Sequence, residues 1–299
     1  MVNLAAIRDY LTLCKPKVVL LMLITAWVGM YMASPNSIPW PALSYGTIGI
    51  AFAASAAAII NHLMDRHIDQ KMSRTAGRPI ASGRVAPLNA LIFASVLALI
   101  AWILLSRLVN IVTAILTFST LFGYAVVYTL YLKRATPQNI VIGGLSGAMP
   151  PLLGWAAVSG DINPHSLLLV LIIFVWTPPH FWALAIYRVN DYAAAKIPML
   201  PVTHGIAFTK TCLLLYTILL STVTVLPFVF QMSSLMYLIT ACVLNIIFLY
   251  FALRLYMSDA KTERPLAIQT FNYSLLYLLL IFSALLIDHK YEVINHVNI

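Results

Sequence analysis

The chain has 299 residues, of which 62% are hydrophobic and only 9% charged, with a formal net charge of +9. Soluble domains run near 25% charged, so these figures and a mean hydropathy of +0.91 exclude a soluble protein and define an integral membrane protein. The basic excess faces anionic lipid headgroups in such a chain and is no sign of nucleic-acid binding.

Apolar stretches of spanning length, about 17–25 residues each, recur from end to end. The first is Lys17–Ala33, preceded by Lys15 and Lys17, and reads as a true first helix with no cleavable signal. The second, Tyr45–Met64, runs into Asn61-His-Leu-Met-Asp65-Arg-His-Ile-Asp69 and then Arg74-Thr-Ala-Gly-Arg78-Pro79. Side chains four apart advance by about 40° around a helix, so Asn61, Asp65 and Asp69 line one face where an apolar helix meets water. Carboxylates and an amide oxygen suit Mg²⁺, which takes oxygen ligands and is held by one or two carboxylates plus substrate phosphates. Arg74 and Arg78 suit the anion that such a cation carries, through bidentate hydrogen bonds. The pattern is that of a site for a lipid diphosphate.

Spans three to five are expected at Leu88–Arg107, Asn110–Leu132 and Asn139–Ser159. The fourth helix carries Tyr124, Tyr128 and Tyr131 ahead of Lys133-Arg134. Tyr131 fits an interfacial aromatic belt, and Tyr124, deeper, fits an electron-rich wall for a carbocation. Lys133 and Arg134 are further diphosphate donors. Gly143 and Gly147 form a GxxxG pair that predicts close helix packing.

The sixth span, Ser166–Tyr187, contains Trp176-Thr-Pro-Pro-His180-Phe-Trp182. Two prolines free the carbonyls one turn earlier and predict a bent or broken helix. An ionisable His180 at that depth is a functional candidate. Beyond it lies Asp191-Tyr192 and, further on, Lys196-Ile-Pro198-Met-Leu-Pro201. Asp191 offers a further metal ligand and Lys196 a further phosphate partner. His62, His67 and His204 read as polar surface residues. Spans seven to nine are expected at Lys210–Phe230, Ser234–Tyr256 and Ile268–Ile287, where Asn245, Asn272 and Arg254 read as packing or interface residues.

These spans make an all-α, polytopic protein of nine transmembrane helices in a single domain, 1–299. With the N-terminus in the cytoplasm, all but Arg107 and Lys290 of the 18 Lys and Arg fall on the cytoplasmic side, as the positive-inside rule expects. Cys14, Cys212 and Cys242 are far apart in sequence and show no metal-ligand or disulfide spacing. A transporter would also combine broken helices with intramembrane polar groups, but here the acidic residues gather at one mouth and no two halves repeat.

Three blocks are shared with a known family: Asn61-x3-Asp65-x3-Asp69-x2-Met72-x-Arg74-Thr75-x2-Arg78-Pro79, then Trp176-x-Pro178-Pro179-His180-Phe181, then Asp191-Tyr192-x5-Pro198-Met199-Leu200-Pro201. The chain resembles the UbiA superfamily of intramembrane prenyltransferases over nearly its whole length, from Lys15-Pro16-Lys17 onward. The last two blocks resemble the branch with a heme acceptor rather than an aromatic quinone precursor. The resemblance implies nine helices around a central cavity capped by two acidic cytoplasmic loops. It also implies farnesyl diphosphate as donor, heme b as acceptor, Mg²⁺ as cofactor and His180 as a heme contact, through iron or a propionate. It further implies a bacterial inner-membrane location and association with heme A synthase or terminal oxidase assembly. Many superfamily members carry a second Asp four residues after the first in the later motif; here that position is Ala195.

Overall fold

The computed structural model describes residues 4–34, 37–72 and 75–297, with positions 134 and 290–297 as backbone only. The described residues contain helices and no strand. In chain order these are α1 (Leu4–Leu13), α2 (Pro16–Met32), α3 (Ala42–Asp69), α4 (Pro87–Val109), α5 (Ile111–Leu132), α6 (Asn139–Ala148) and α7 (Pro150–Ser159). They continue with α8 (Pro164–Tyr187), α9 (Val189–Ala194), α10 (Leu200–Thr203), α11 (Gly205–Val223), α12 (Leu226–Val229), α13 (Leu235–Tyr256) and α14 (Glu263–Val297).

Helix starts follow local chemistry. Proline occupies the first position of α2, α4, α7 and α8, where its missing N–H is no loss. Asn110, Asn163 and Ser234 cap α5, α8 and α13 by accepting from Thr113, His165 and Met236 backbone N–H groups. Eight segments are long and apolar enough to cross a membrane, and α1 with α2, bent by 49° at Cys14-Lys15, supplies a ninth if the pair counts as one span. On α4 the exposed residues include Leu91, Ile92, Val96, Leu99 and Ile103. So much apolar surface suits lipid and not water.

Contacts divide the chain into two units. The first comprises α1–α5 with α7. Its two cores are small-residue seams: Ala56, Ile59 and Leu63 of α3 meet Ala90, Ala94 and Leu97 of α4, and Ala26 and Met30 of α2 meet Leu153 and Ala157 of α7. Here α2 and α7 touch backbone to backbone. A Cβ on Gly29 would lie 2.0 Å from the Pro151 carbonyl oxygen, and one on Gly154 would lie 1.9 Å from that of Ala26. The second unit comprises α6 and α8–α14, around Trp182, Ile186, Leu213, Ala252, Leu255 and Ala267.

The fifth span covers Asn139–Ser159 as expected, with a single irregular residue, Met149, between α6 and α7 ahead of Pro150 and Pro151. Two other expectations are corrected. In the GxxxG pair of the fifth span Gly147 meets nothing within 4 Å, whereas the neighbouring Gly144 would bring a Cβ to 2.8 Å from Thr177 of α8. The sixth span stays helical from Pro164 to Tyr187 across Pro178 and Pro179. Neighbouring side chains hold that stretch, as described below.

Candidate active site

At 28 residues α3 is about 42 Å long, which exceeds the hydrocarbon core of about 30 Å. Its last turns carry Asn61, Asp65 and Asp69, all buried within the first unit. Asn61 Nδ2 donates to Asp65 Oδ2 at 2.8 Å, as expected for side chains one turn apart. Lys133 Nζ donates to the same oxygen at 2.6 Å, and Lys15 Nζ donates to Asn61 Oδ1 at 2.8 Å.

The chain past Asp69 folds back on the helix end. Thr75 Oγ1 donates to the Asp69 carbonyl at 3.1 Å, and Arg78 Nη1 reaches both Asp69 carboxylate oxygens at 2.8 Å. Gln70 Nε2 donates to the Ala81 carbonyl, and Arg84 Nε donates to the Asp9 carboxylate.

Backbone geometry brings Lys133 into place. From Gly123 to Leu132, α5 is wound as a π-helix, a form found often at functional sites. Thr129 in that stretch donates to the Tyr124 carbonyl at 2.8 Å and accepts from Asn61 Nδ2 at 3.4 Å. The Tyr124 and Tyr128 rings stack at 5.5 Å, while Tyr131 is 69% exposed, as a belt residue should be.

Three cations, Lys15, Lys133 and Arg78, thus surround two carboxylates. Among the described residues one positive charge is in excess, and a divalent cation would raise the excess to about three, the charge of an ionised diphosphate ester. Burial, then the Arg78 charge, pulls the Lys15 ammonium down to about 8. Lys15 precedes α2 in a left-handed backbone conformation, φ 50°.

The donor set fits Mg²⁺. Asp65 Oδ1 is buried and has no hydrogen-bond partner, which leaves one anionic oxygen open for a cation. Among the described residues no three His, Cys, Asp or Glu side chains form a cage, consistent with an ion that draws its remaining ligands from water and phosphate.

The remaining candidates are distributed as follows. Arg74 lies outside the described residues, as does the side chain of Arg134. Asp191 sits in the second unit on the short helix α9, half-buried, with Arg188 Nη1 at 3.2 Å. Lys196 is exposed in a left-handed turn, φ 54°. His180, also in the second unit, is buried in α8. Its ring stacks on Trp176 at 4.2 Å and on Phe271 at 4.5 Å, and Nδ1 lies 2.7 Å from Ser274 Oγ.

His62 is a correction: it is buried, and neither ring nitrogen has a hydrogen-bond partner, because it lies on the part of α3 enclosed by the first unit. His67 and His204 are exposed, as expected. Lys15, Thr129 and Ser274 are contacts that the motifs did not single out. Only Lys15-Pro16 left a trace, as the basic residue before the first span.

Residues 22–285 match the UbiA prenyltransferase family. The chain belongs to that family. Among its relatives, the Legionella pneumophila (strain Paris) protoheme IX farnesyltransferase is 58% identical over 95% of this chain and 96% of its own. Protoheme IX farnesyltransferase 2 of Pseudoalteromonas atlantica is 56% identical over 94% of this chain and 92% of its own. The fold is also that of a digeranylgeranylglyceryl phosphate synthase, with a TM-score of 0.79 at 19% identity, covering 95% of this chain and 98% of the other. A UbiA homolog from Archaeoglobus fulgidus bound to GPP and Mg²⁺ aligns with a TM-score of 0.61 at 15% identity, over 93% of this chain and 99% of the other.

Proposed function

We propose that this chain transfers the farnesyl group of farnesyl diphosphate to a vinyl group of heme b, giving heme O and diphosphate. What carries the reading is the open, buried Asp65 oxygen among three cations at the end of a spanning helix. It occurs in a chain 56–58% identical to protoheme IX farnesyltransferases.

Asn61, Asp65 and Asp69 would hold Mg²⁺, which supplies Lewis-acid stabilisation of the charge developing on the departing diphosphate. By motif, Asp191 is assigned to the same metal, and Arg74, Arg78, Lys133, Arg134 and Lys196 to the diphosphate oxygens. Arg78 and Lys133 already bond the carboxylates, so each is positioned to exchange an aspartate oxygen for a phosphate oxygen. The allylic C–O bond breaks with its electron pair leaving on diphosphate. The vinyl π bond then adds to the farnesyl cation, and water captures the new cation beside the porphyrin, losing a proton. Tyr124, stacked on Tyr128, would present a π face to the farnesyl cation. His180 is assigned to the heme.

The reading includes nine spans with the N-terminus in the cytoplasm of a bacterial inner membrane, working as one catalytic domain. The ninth span is α2, with α1 lying along the interface through exposed Leu4, Ile7 and Leu11. The product stays in the bilayer, for use by heme A synthase or terminal oxidase assembly.

Incubating purified protein with Mg²⁺, farnesyl diphosphate and heme b, with 4-hydroxybenzoate as a competing acceptor, tests this directly. Mass spectrometry should find farnesylated heme; prenylated 4-hydroxybenzoate alone would replace the heme reading with the aromatic one.

A further inference from the structure

In Trp176-Thr-Pro-Pro-His180 the two prolines bring no backbone N–H to the helix, so what fixes this stretch comes from elsewhere. Ser274 of α14 supplies two of the anchors. Ser274 accepts from Trp176 Nε1 at 2.8 Å through its carbonyl and meets His180 Nδ1 at 2.7 Å through its hydroxyl.

The direction of that second bond follows from proton count. The Ser274 hydroxyl has one hydrogen, and it goes to the Phe271 carbonyl at 2.6 Å. Towards His180 the oxygen is left as an acceptor, so Nδ1 carries the proton. In a neutral imidazole with Nδ1–H, the other nitrogen has a bare lone pair. His180 Nε2 hydrogen-bonds to no described residue. The stacked Trp176 and Phe271 rings, with Phe181 edge-on at 5.0 Å, keep the imidazole from turning.

We propose that Ser274 is a positioning residue that holds His180 as the Nδ1–H tautomer, so that Nε2 serves as an axial ligand to the iron of heme b. A propionate would need a proton on Nε2, which the neutral Nδ1–H tautomer lacks and only the imidazolium would supply. The arrangement is that of metal-binding histidines, whose second nitrogen donates to a fixed oxygen that sets tautomer and orientation. The proposal rests on the assignment of His180 to heme, and two readouts separate failure of one from failure of the other.

The first needs no heme. In protein carrying 15N-histidine, the His180 signals, assigned by their loss in His180→Gln, should show a protonated Nδ1 and a bare Nε2. A protonated Nε2 overturns the proposal whatever heme does. The second is titration with heme b in the absence of farnesyl diphosphate, followed by optical, EPR and resonance Raman spectra. Wild type should show an iron–histidine signature that disappears in His180→Ala and returns with added imidazole. Ser274→Ala should weaken heme binding by about 10–100-fold and shift the iron–histidine stretch, while Ser274→Thr, which keeps the hydroxyl, should match wild type. The threonine variant also controls for folding. If His180→Ala binds heme with unchanged spectra and affinity, the assignment of His180 to heme fails. If it loses affinity with no change in axial ligation, histidine pairs a propionate and the proposal is overturned. If Ser274→Ala is indistinguishable from wild type, Ser274 does not position the ring.

Discussion

Replacing Asp65 by Asn leaves the shape of the site and removes one charge. The amide must keep its oxygen towards Lys133 and Asn61, which donate at 2.6 and 2.8 Å. Its NH₂ then falls where Oδ1 was, the position open to a cation, and turns an acceptor into a donor. The stability cost should be about 3 kcal/mol, the low end for removing one member of a buried ion pair, because Lys133 keeps a neutral acceptor. The catalytic cost is larger. Losing the proposed ligand should lower kcat by about 10³-fold, equivalent to about 4 kcal/mol of barrier. The assay is farnesylated-heme formation by mass spectrometry over a Mg²⁺ titration, with a thermal melt to show that the variant is folded. Asp9→Asn makes the same charge change in the partly exposed pair with Arg84 and should leave turnover unchanged. A folded Asp65→Asn enzyme within tenfold of wild type at saturating Mg²⁺ would refute the reasoning.

The Gly154→Ala variant drives a Cβ into the Ala26 carbonyl and should cost about 1–3 kcal/mol, as overpacking does. The matched Gly147→Ala change fills open space and should not lower the melting temperature. Lys15 is charged below its value of about 8 and neutral above it, and it sits on the Asn61 oxygen assigned to metal. The half-saturating Mg²⁺ concentration should therefore fall as pH rises from 7 to 9, and Lys15→Met should flatten that dependence; a wild-type curve flat in pH would contradict the competition. Asp288 accepts from the Ser234 and Tyr237 backbone N–H groups and the Ser234 hydroxyl at the start of α13. Asp288→Ala strands those donors and should cost about 1–3 kcal/mol, seen in a thermal melt with kcat unchanged.

The four-residue spacing of Asn61, Asp65 and Asp69 was legible because helical geometry alone puts them on one face, and the structure bonds the first two directly. The apolar runs gave the spans for the same reason. Tertiary contacts were not legible. Lys15 reaches Asn61 across 46 positions, and Ser274 reaches His180 across 94; no local pattern encodes either. The basic residue at 133 read as a phosphate partner, but its place on Asp65 depends on the π-helical winding of Gly123–Leu132. Proline misled at one site. Pro178-Pro179 left the sixth span helical from Pro164 to Tyr187, because α14 supplies anchors that the sequence does not advertise. His62 read as a surface residue from its place near a helix end, and the packing of the first unit around α3 buries it.

The claim that Asp65 and its neighbours hold the metal that carries the diphosphate is tested most directly with Mn²⁺ in place of Mg²⁺ and a non-hydrolysable farnesyl diphosphate analogue. Pulsed EPR of the wild-type complex should show 31P coupling to protein-bound Mn²⁺, and Asp65→Asn should abolish it. An unchanged 31P coupling in folded Asp65→Asn protein would place the metal elsewhere.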